Sequence, residues 1–100
     1  MKDDFSIDII KEYVGRDNFI KGKNYFPFYV RYVGDSHSKT EIVHFLRVNS
    51  EREPINYLVK IRIRGKEIVD STCTCPQFGI EGCCKHIAAG LYNYREEMFP

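Results

Sequence analysis

No stretch of the 100 residues carries the roughly 18–20 consecutive apolar side chains that a membrane-spanning helix needs. The amino terminus, Met1-Lys-Asp-Asp-Phe-Ser-Ile-Asp-Ile-Ile10, is acidic and has no apolar core of the kind a secretory signal requires. These absences set the expectation of a soluble, intracellular protein, cytoplasmic and, in a bacterium, nucleoid-associated. There is no internal repeat and no low-complexity tract. A phosphate-binding loop or other nucleotide fingerprint is also missing, so the chain cannot itself be a nucleotide-driven motor. An excess of one charge is absent as well. With 15 Lys and Arg against 14 Asp and Glu, the formal net charge of +1 argues against a binder that relies on overall charge to hold nucleic acid. Cysteine is missing from all of the chain except residues 73–84, where all 4 occur. A disulfide framework would scatter cysteines along a secreted chain. Bridges confined to this segment would staple a single loop.

What is present instead is a cluster of soft metal ligands in the stretch Ser71-Thr-Cys-Thr-Cys-Pro-Gln-Phe-Gly-Ile80-Glu-Gly-Cys-Cys-Lys-His-Ile-Ala-Ala-Gly90. Cys73 and Cys75 form one short pair, and a cysteine with His86 forms another. A tetrahedral Zn²⁺ needs two chelating pairs with enough chain between them to fold back. Rival readings are weaker. Cys84 activated by His86 as a nucleophile has no orienting third group or substrate pocket beside it. Redox pairs are normally CxxC beside a βαβ pattern, which is not seen here. Cys73, Cys75, Cys84 and His86 are the natural ligand set, filling all positions of a closed structural site. Cys83 with His86 also has an allowed spacing, and adjacent side chains diverge, so only one of Cys83 and Cys84 faces the metal.

Periodicity organises the rest of the chain. Asp4 or Ser6 can cap a short helix with Ile7, Ile10 and Val14 on one face, and Gly15 ends it. Asp17 caps a second helix through Tyr25, stopped by Pro27. The period then changes to two. Tyr29–Val33 reads as a strand closed by a turn at Gly34-Asp35-Ser36, and Glu41–Val48 reads as a second. After the polar loop 49–54, Ile55, Tyr57, Val59, Ile61 and Ile63 alternate with Asn56, Leu58, Lys60, Arg62 and Arg64 in a third strand. Arg64-Gly65-Lys66 is a tight turn, and Glu67–Thr72 is a last strand that delivers Cys73. In extended chain, residues two apart project to one face, so Cys73 and Cys75 can share a metal. Pro76 then helps to end the ladder. Residues 77–82 form a reversing loop in which Gly79 and Gly82 are free to take positive φ. Cys84 and His86 enter on the first turn of a helix whose positive end favours a thiolate, and Lys85 offsets the net −1 of the loaded site. That helix shows Ile87, Leu91, Tyr94 and Met98 on one face, a pattern for packing on the sheet rather than for a partner. Gly90 in mid-helix points to a close approach to backbone there.

The expected fold class is α+β: short N-terminal helices, a small antiparallel β-meander, then a zinc finger closed by a C-terminal helix. We expect residues 1–100 to make a single domain, with a helical segment over 5–26, the sheet over 28–72 and the finger over 73–98. A core this small is marginal alone, so a metal that contributes folding free energy makes physical sense. The helical pattern runs almost to Pro100, which reads as a truncated chain or the N-terminal module of a longer one.

The pattern CxC-x8-CxH followed by an apolar helix resembles the SWIM zinc finger. Pro76 directly after the second cysteine, Lys85 between the last two ligands and Ile87-Ala88-Ala89-Gly90-Leu91 match the family's habit. The resemblance implies Zn²⁺ as cofactor and places Cys84, rather than Cys83, in the ligand set with Cys73, Cys75 and His86. Upstream, Phe19-Ile-Lys-Gly-Lys-Asn-Tyr-Phe26 resembles the helix that precedes such fingers in bacterial Swi/Snf-type helicases, and Ile55–Ile61 the strand that leads into them. The turn after Tyr25 reads Phe-Pro-Phe where the family has a glycine turn, and residues 33–54 have no counterpart. The resemblance implies an accessory module of a helicase-like remodelling ATPase, with the motor elsewhere.

Charge distribution adds a candidate contact surface. Lys60, Arg62 and Arg64 project from one face of a strand, with Lys66 in the adjoining turn, and Arg31 and Arg47 can extend that stripe. Such a stripe can track the phosphates of DNA or RNA, with Tyr29 or Phe45 stacking on bases. It can equally be the wet face of an antiparallel sheet, partly neutralised by Glu41, Glu67 and Asp70. The second functional class is a zinc-stabilised protein-interaction module, docking to its own motor domain or another partner through a patch at Tyr92 and Arg95. No membrane or small-molecule partner is expected. His37 reads as a loop residue and His44 as a satisfied sheet residue. Asp3, Asp4, Glu96 and Glu97 read as solvated terminal charge, not an acid–base pair, so no catalysis is expected.

Overall fold

Two short helices are the first described elements, where apolar residues recur at helical spacing and a glycine separates them. The computed structural model describes residues 7–25, 29–49, 55–65, 67–82 and 84–98, with the side chains of Glu81 and Met98 excepted. Helix α1 (Ile7–Val14) buries Ile10 and Val14, while Ile7, expected on the same face, is exposed. Gly15 breaks the helix with φ of 87°, a conformation open to glycine without strain. Helix α2 (Arg16–Tyr25) starts at once, with Asp17 inside its first turn rather than capping it. The expected caps at Asp4 and Ser6, the stop at Pro27, the loop at 50–54, Lys66 and Cys83 lie outside the described residues.

Strands β1 (Val30–His37), β2 (Ile42–Asn49), β3 (Asn56–Arg64) and β4 (Glu67–Cys73) form an antiparallel meander in the order β1-β2-β3-β4. The chain ends with α3 (Pro76–Glu81) and α4 (Lys85–Met98). The fold class is therefore α+β, with a C-terminal helix after the ligand cluster. Alternation sorts the sheet cleanly. His44, Leu46 and Val48 of β2 and Val59, Ile61 and Ile63 of β3 are buried on the inner face. Phe45, Arg47, Leu58, Lys60 and Arg64 stand on the outer face and are exposed.

Two expectations about local structure need correction. First, β1 does not turn at Gly34 but runs on to His37, and the turn falls at Ser38–Glu41, closed by Ser38 N–H to the Glu41 carbonyl at 2.9 Å. The register slips between Tyr32 and Gly34, so that Tyr32 pairs with Leu46 but Gly34 pairs with Phe45, leaving Val33 as the extra residue of a bulge. Because side chains alternate, that one residue moves Asp35 from the outer to the inner face. There it lies opposite His44 and hydrogen-bonds its Nδ1 at 2.6 Å. The sequence pattern at 34–36 is turn-like, but the buried histidine holds the segment in the sheet. Second, residues 76–81 are not a loop but the helix α3. Gly82 takes the expected positive φ, at 78°, and Gly79 does not.

Helix α4 is the centre of the molecule. Ile87 through Tyr94 are buried without interruption, so both sides of the helix are covered. One side lies on the sheet. A Cβ at Gly90 would come within 3.1 Å of Ile61 Cδ1 and Leu46 Cδ1 and 3.2 Å of Val59 Cγ1. The close approach expected at Gly90 is thus to side chains of the sheet and not to backbone. The other side of α4 meets α2, and there the contact is backbone to backbone. A Cβ at Gly22 would lie 2.4 Å from Ala88 Cβ, 2.8 Å from the Lys85 carbonyl oxygen and 2.9 Å from Ala89 N. Phe19 packs on Tyr92 beside this crossing, with ring centroids 5.4 Å apart. Tyr92 is therefore buried, at 6% exposure, and the expected docking patch at Tyr92 and Arg95 is not a free surface. Tyr13 Oη and Ser71 Oγ, 2.8 Å apart, tie α1 to β4. Among the described residues no helix is long and apolar enough to cross a membrane.

Candidate metal centre

The site is assembled where β4 runs out and α4 begins. Cys73 closes β4 on the inner face, Thr74 points outward, and Cys75 returns inward, as a continuing extended chain requires. The ladder persists one residue beyond the strand, with Thr74 N–H donating to the Leu58 carbonyl at 3.2 Å. Pro76 then cannot donate, and its fixed φ suits the first position of a helix. Cys75 becomes the N-cap of α3, and its Sγ accepts the Phe78 N–H at 3.4 Å. The short helix ends at Gly82, whose N–H reaches the Phe78 carbonyl at 2.9 Å. Proline at the start and glycine just past the end of six residues was the sequence signal for α3. The chain then returns to Cys84, immediately before α4, where the Cys84 side chain accepts from the Ile87 backbone. Two of the sulfurs thus sit at helix starts, each accepting an N–H three residues on.

The ligand atoms of Cys73, Cys75, Cys84 and His86 all lie within 4.8 Å of one another, and all four residues are buried. His86 Nδ1 is 3.8 Å from Cys73 Sγ. A tetrahedron built on Zn–S of about 2.3 Å and Zn–N of about 2.0 Å has edges of roughly 3.5–3.8 Å, so the donor set fits the ion in spacing and in chemistry. A hydrogen bond to the Cys73 side chain and burial push the Cys84 thiol up to about 12. Burial likewise raises Cys75. A divalent cation inverts that preference and holds the sulfurs as thiolates. Zinc bound here supplies a cross-link between the end of β4 and the start of α4.

Aromatic rings pack against the ligand His86. The His86 ring lies edge-on to Tyr25, with centroids 5.3 Å apart, and tilted over Tyr57 at 4.6 Å. Lys85 places its Nζ over the Tyr25 ring at 5.3 Å from the centroid. These rings come from α2 and β3, so the imidazole is oriented by elements outside the ligand loop. Neither tyrosine is near the ligands in the chain, so no local spacing ties them to the site.

The SWIM zinc finger family model matches residues 57–94. Residues 57–94 form a SWIM zinc finger. The match spans β3, β4, α3 and α4 and includes all four ligand positions. It leaves α1, α2, β1 and β2 outside, although α2 contributes Gly22 and Tyr25 to the packing of the finger. No curated protein and no solved structure matches the chain.

The outer face of the sheet holds the basic residues singled out above, but their environments differ. Arg62 is paired with Asp70 in a two-pronged contact, Nε to Oδ1 at 3.1 Å and Nη2 to Oδ2 at 2.5 Å. Arg64 is bonded to Glu41, Nη2 to Oε2, at 2.5 Å. Lys60 is exposed, and Lys66 lies outside the described residues. Arg47 and Arg31, on the neighbouring strands, are exposed and stand directly opposite each other in the β1–β2 register. Among the described residues no ion pair engages Lys60, Arg47 or Arg31. His44, kept out of the metal set, is fully buried, and its Nε2 lies 3.1 Å from Asn93 Oδ1 of α4. With Asp35 on its other nitrogen, it fastens β1 and β2 to α4.

Proposed function

We propose that this protein is a non-catalytic, zinc-clamped accessory element that contacts nucleic acid through its outer sheet face. The observation that carries this reading is the cross-strand pair Arg31 and Arg47, continued by Lys60 on β3. Like charges directly opposite on a sheet are destabilising, and here no carboxylate among the described residues relieves them. A polyanion would. Arg62 and Arg64, by contrast, have their charge absorbed by Asp70 and Glu41, so the contact surface centres on β1, β2 and the first half of β3.

The absence of catalysis is part of the proposal. Four protein ligands fill a tetrahedral zinc, leaving no position for water or substrate. The likeness of the α2 segment to the helix preceding such fingers in Swi/Snf-type helicases supports service to a remodelling ATPase whose motor lies elsewhere. A steady ATPase or nuclease rate from the pure chain would refute the non-catalytic reading.

The test is binding of the zinc-loaded protein to labelled DNA across a salt series. We expect log K to fall linearly with log salt, with a slope reduced by about one unit for each cation removed. Arg47→Glu and Lys60→Glu should abolish binding, while Arg64→Gln should leave it nearly unchanged. Failure to bind even at low salt would overturn the reading and make the module a protein-docking element.

A further inference from the structure

The outer face is not simply basic. Where an antiparallel sheet faces water its outward residues are ordinarily polar, yet Val33 is 55% exposed, Leu58 52% and Phe45 37%. These side chains line one shallow groove of about 340 Å³, together with Arg47, Lys60 and Thr72. The bulge at Val33 brings β1 into this groove, since it inserts Val33 between residues that pair with Leu46 and Phe45. Arg47 and Lys60 flank the apolar floor: Phe45 pairs with Lys60, and Arg47 with Leu58, across the β2–β3 register. Cations and apolar surface therefore alternate on one face of the sheet, rather than being segregated.

Resting on the reading of this face as a nucleic-acid contact, we propose that its ligand is a single strand and not a duplex. A duplex offers a flat face phosphates and groove edges, and docking it here would press charged phosphate onto Val33, Phe45 and Leu58. Burial of a charge against apolar surface without a partner is costly. A single strand carries alternating phosphates and unstacked bases, and a base has an apolar face that can seat on an aromatic ring while phosphates meet the flanking cations. The interleaved pattern of Arg47, Phe45, Leu58 and Lys60 fits that alternation. It fits a uniformly charged rod poorly.

The test uses the zinc-loaded chain with a fluorescent 12-nucleotide oligothymidine and a mixed-sequence 12-base-pair duplex at several salt concentrations. We expect the single strand to bind at least tenfold tighter than the duplex. Phe45→Ala should weaken single-strand binding roughly tenfold, the order of one stacked base, without changing the salt slope. Lys60→Gln should lower that slope by about one unit. Zinc content and circular dichroism of each variant show that the fold is retained; Phe45 is on the solvent side of the sheet, and a second variant, Phe45→Leu, keeps apolar area but removes the ring. Duplex binding as tight as single-strand binding, with Phe45→Ala neutral, would overturn this inference while leaving the proposed function standing. No binding to either probe at low salt would remove both and favour a protein partner on the same groove.

Discussion

Replacing Gly22 with alanine sets two physical effects against each other, and the structure decides the sign. Gly22 is in the interior of α2, so on helix propensity alone Gly22→Ala should stabilise the protein by about 0.8–1 kcal/mol. The new methyl, however, would lie 2.4 Å from Ala88 Cβ, 2.8 Å from the Lys85 oxygen and 2.9 Å from Ala89 N. Favourable carbon–carbon contacts begin near 3.5 Å, so α2 and α4 must separate by about 1 Å. Two of the three atoms are α4 backbone and cannot rotate aside. Overpacking of this kind costs about 1–3 kcal/mol, and a backbone clash belongs at or beyond the upper end. The net expectation is a destabilisation of about 2 kcal/mol, or a fall in Tm of roughly 8–16 °C for a chain of this size. Lys85 and Ala88 flank His86 on α4, so zinc affinity should fall in the same variant. Thermal unfolding followed by circular dichroism, with a chromophoric zinc chelator in a parallel titration, measures both. Gly90→Ala is the internal control. Its methyl would meet only the tips of Ile61, Leu46 and Val59, at 3.1–3.2 Å, and these can give way. Gly90→Ala should therefore fall within about 1 kcal/mol of the parent. A raised Tm for Gly22→Ala would refute the argument, because it would mean that propensity outweighs the helix crossing.

Removing zinc with a chelator should melt the packing of α4, since metal binding in such small sites is worth about 10–16 kcal/mol of folding free energy at pH 7. Cys84→Ser and His86→Ala should do the same, and helicity unchanged after metal removal would contradict this. Zinc affinity should rise with pH. With Cys75 and Cys84 held protonated in the metal-free site, binding releases at least two protons, so affinity falls about a hundredfold per pH unit on acidification. For the metal-free protein the sign reverses: a raised thiol contributes stability below its ordinary range and loses it as pH climbs towards about 12. A pH-independent zinc affinity between pH 6 and 8 would refute the first of these. His44→Ala should cost about 2–4 kcal/mol by leaving Asp35 and Asn93 without their buried partner. A double-mutant cycle with Asn93→Ala should show coupling, and strict additivity would count against the network.

Features written in local spacing could be read from the chain without its structure. The CxC and CxH pairs state the metal chemistry, because ligands two apart in extended chain share a face, and Cys84 just before α4 with His86 in its first turn supplies the second short pair. The strict alternation from Tyr57 to Ile63 states a half-buried strand for the same local reason. Even α3 was written, in Pro76 and Gly82, though as a pair of helix boundaries around residues of loop-like composition. What the tertiary structure alone decided involves partners distant in sequence. The β1 bulge at Val33 exists in relation to β2, and only the buried His44 explains why Asp35 turns inward rather than making a turn. Whether an arginine on the outer face is free or silenced depends on strand register, which sets Arg62 beside Asp70 and Arg31 opposite Arg47. The burial of α4 on both sides follows from Gly22, a residue whose role is to have no side chain, and that is visible only once the second helix lies against it.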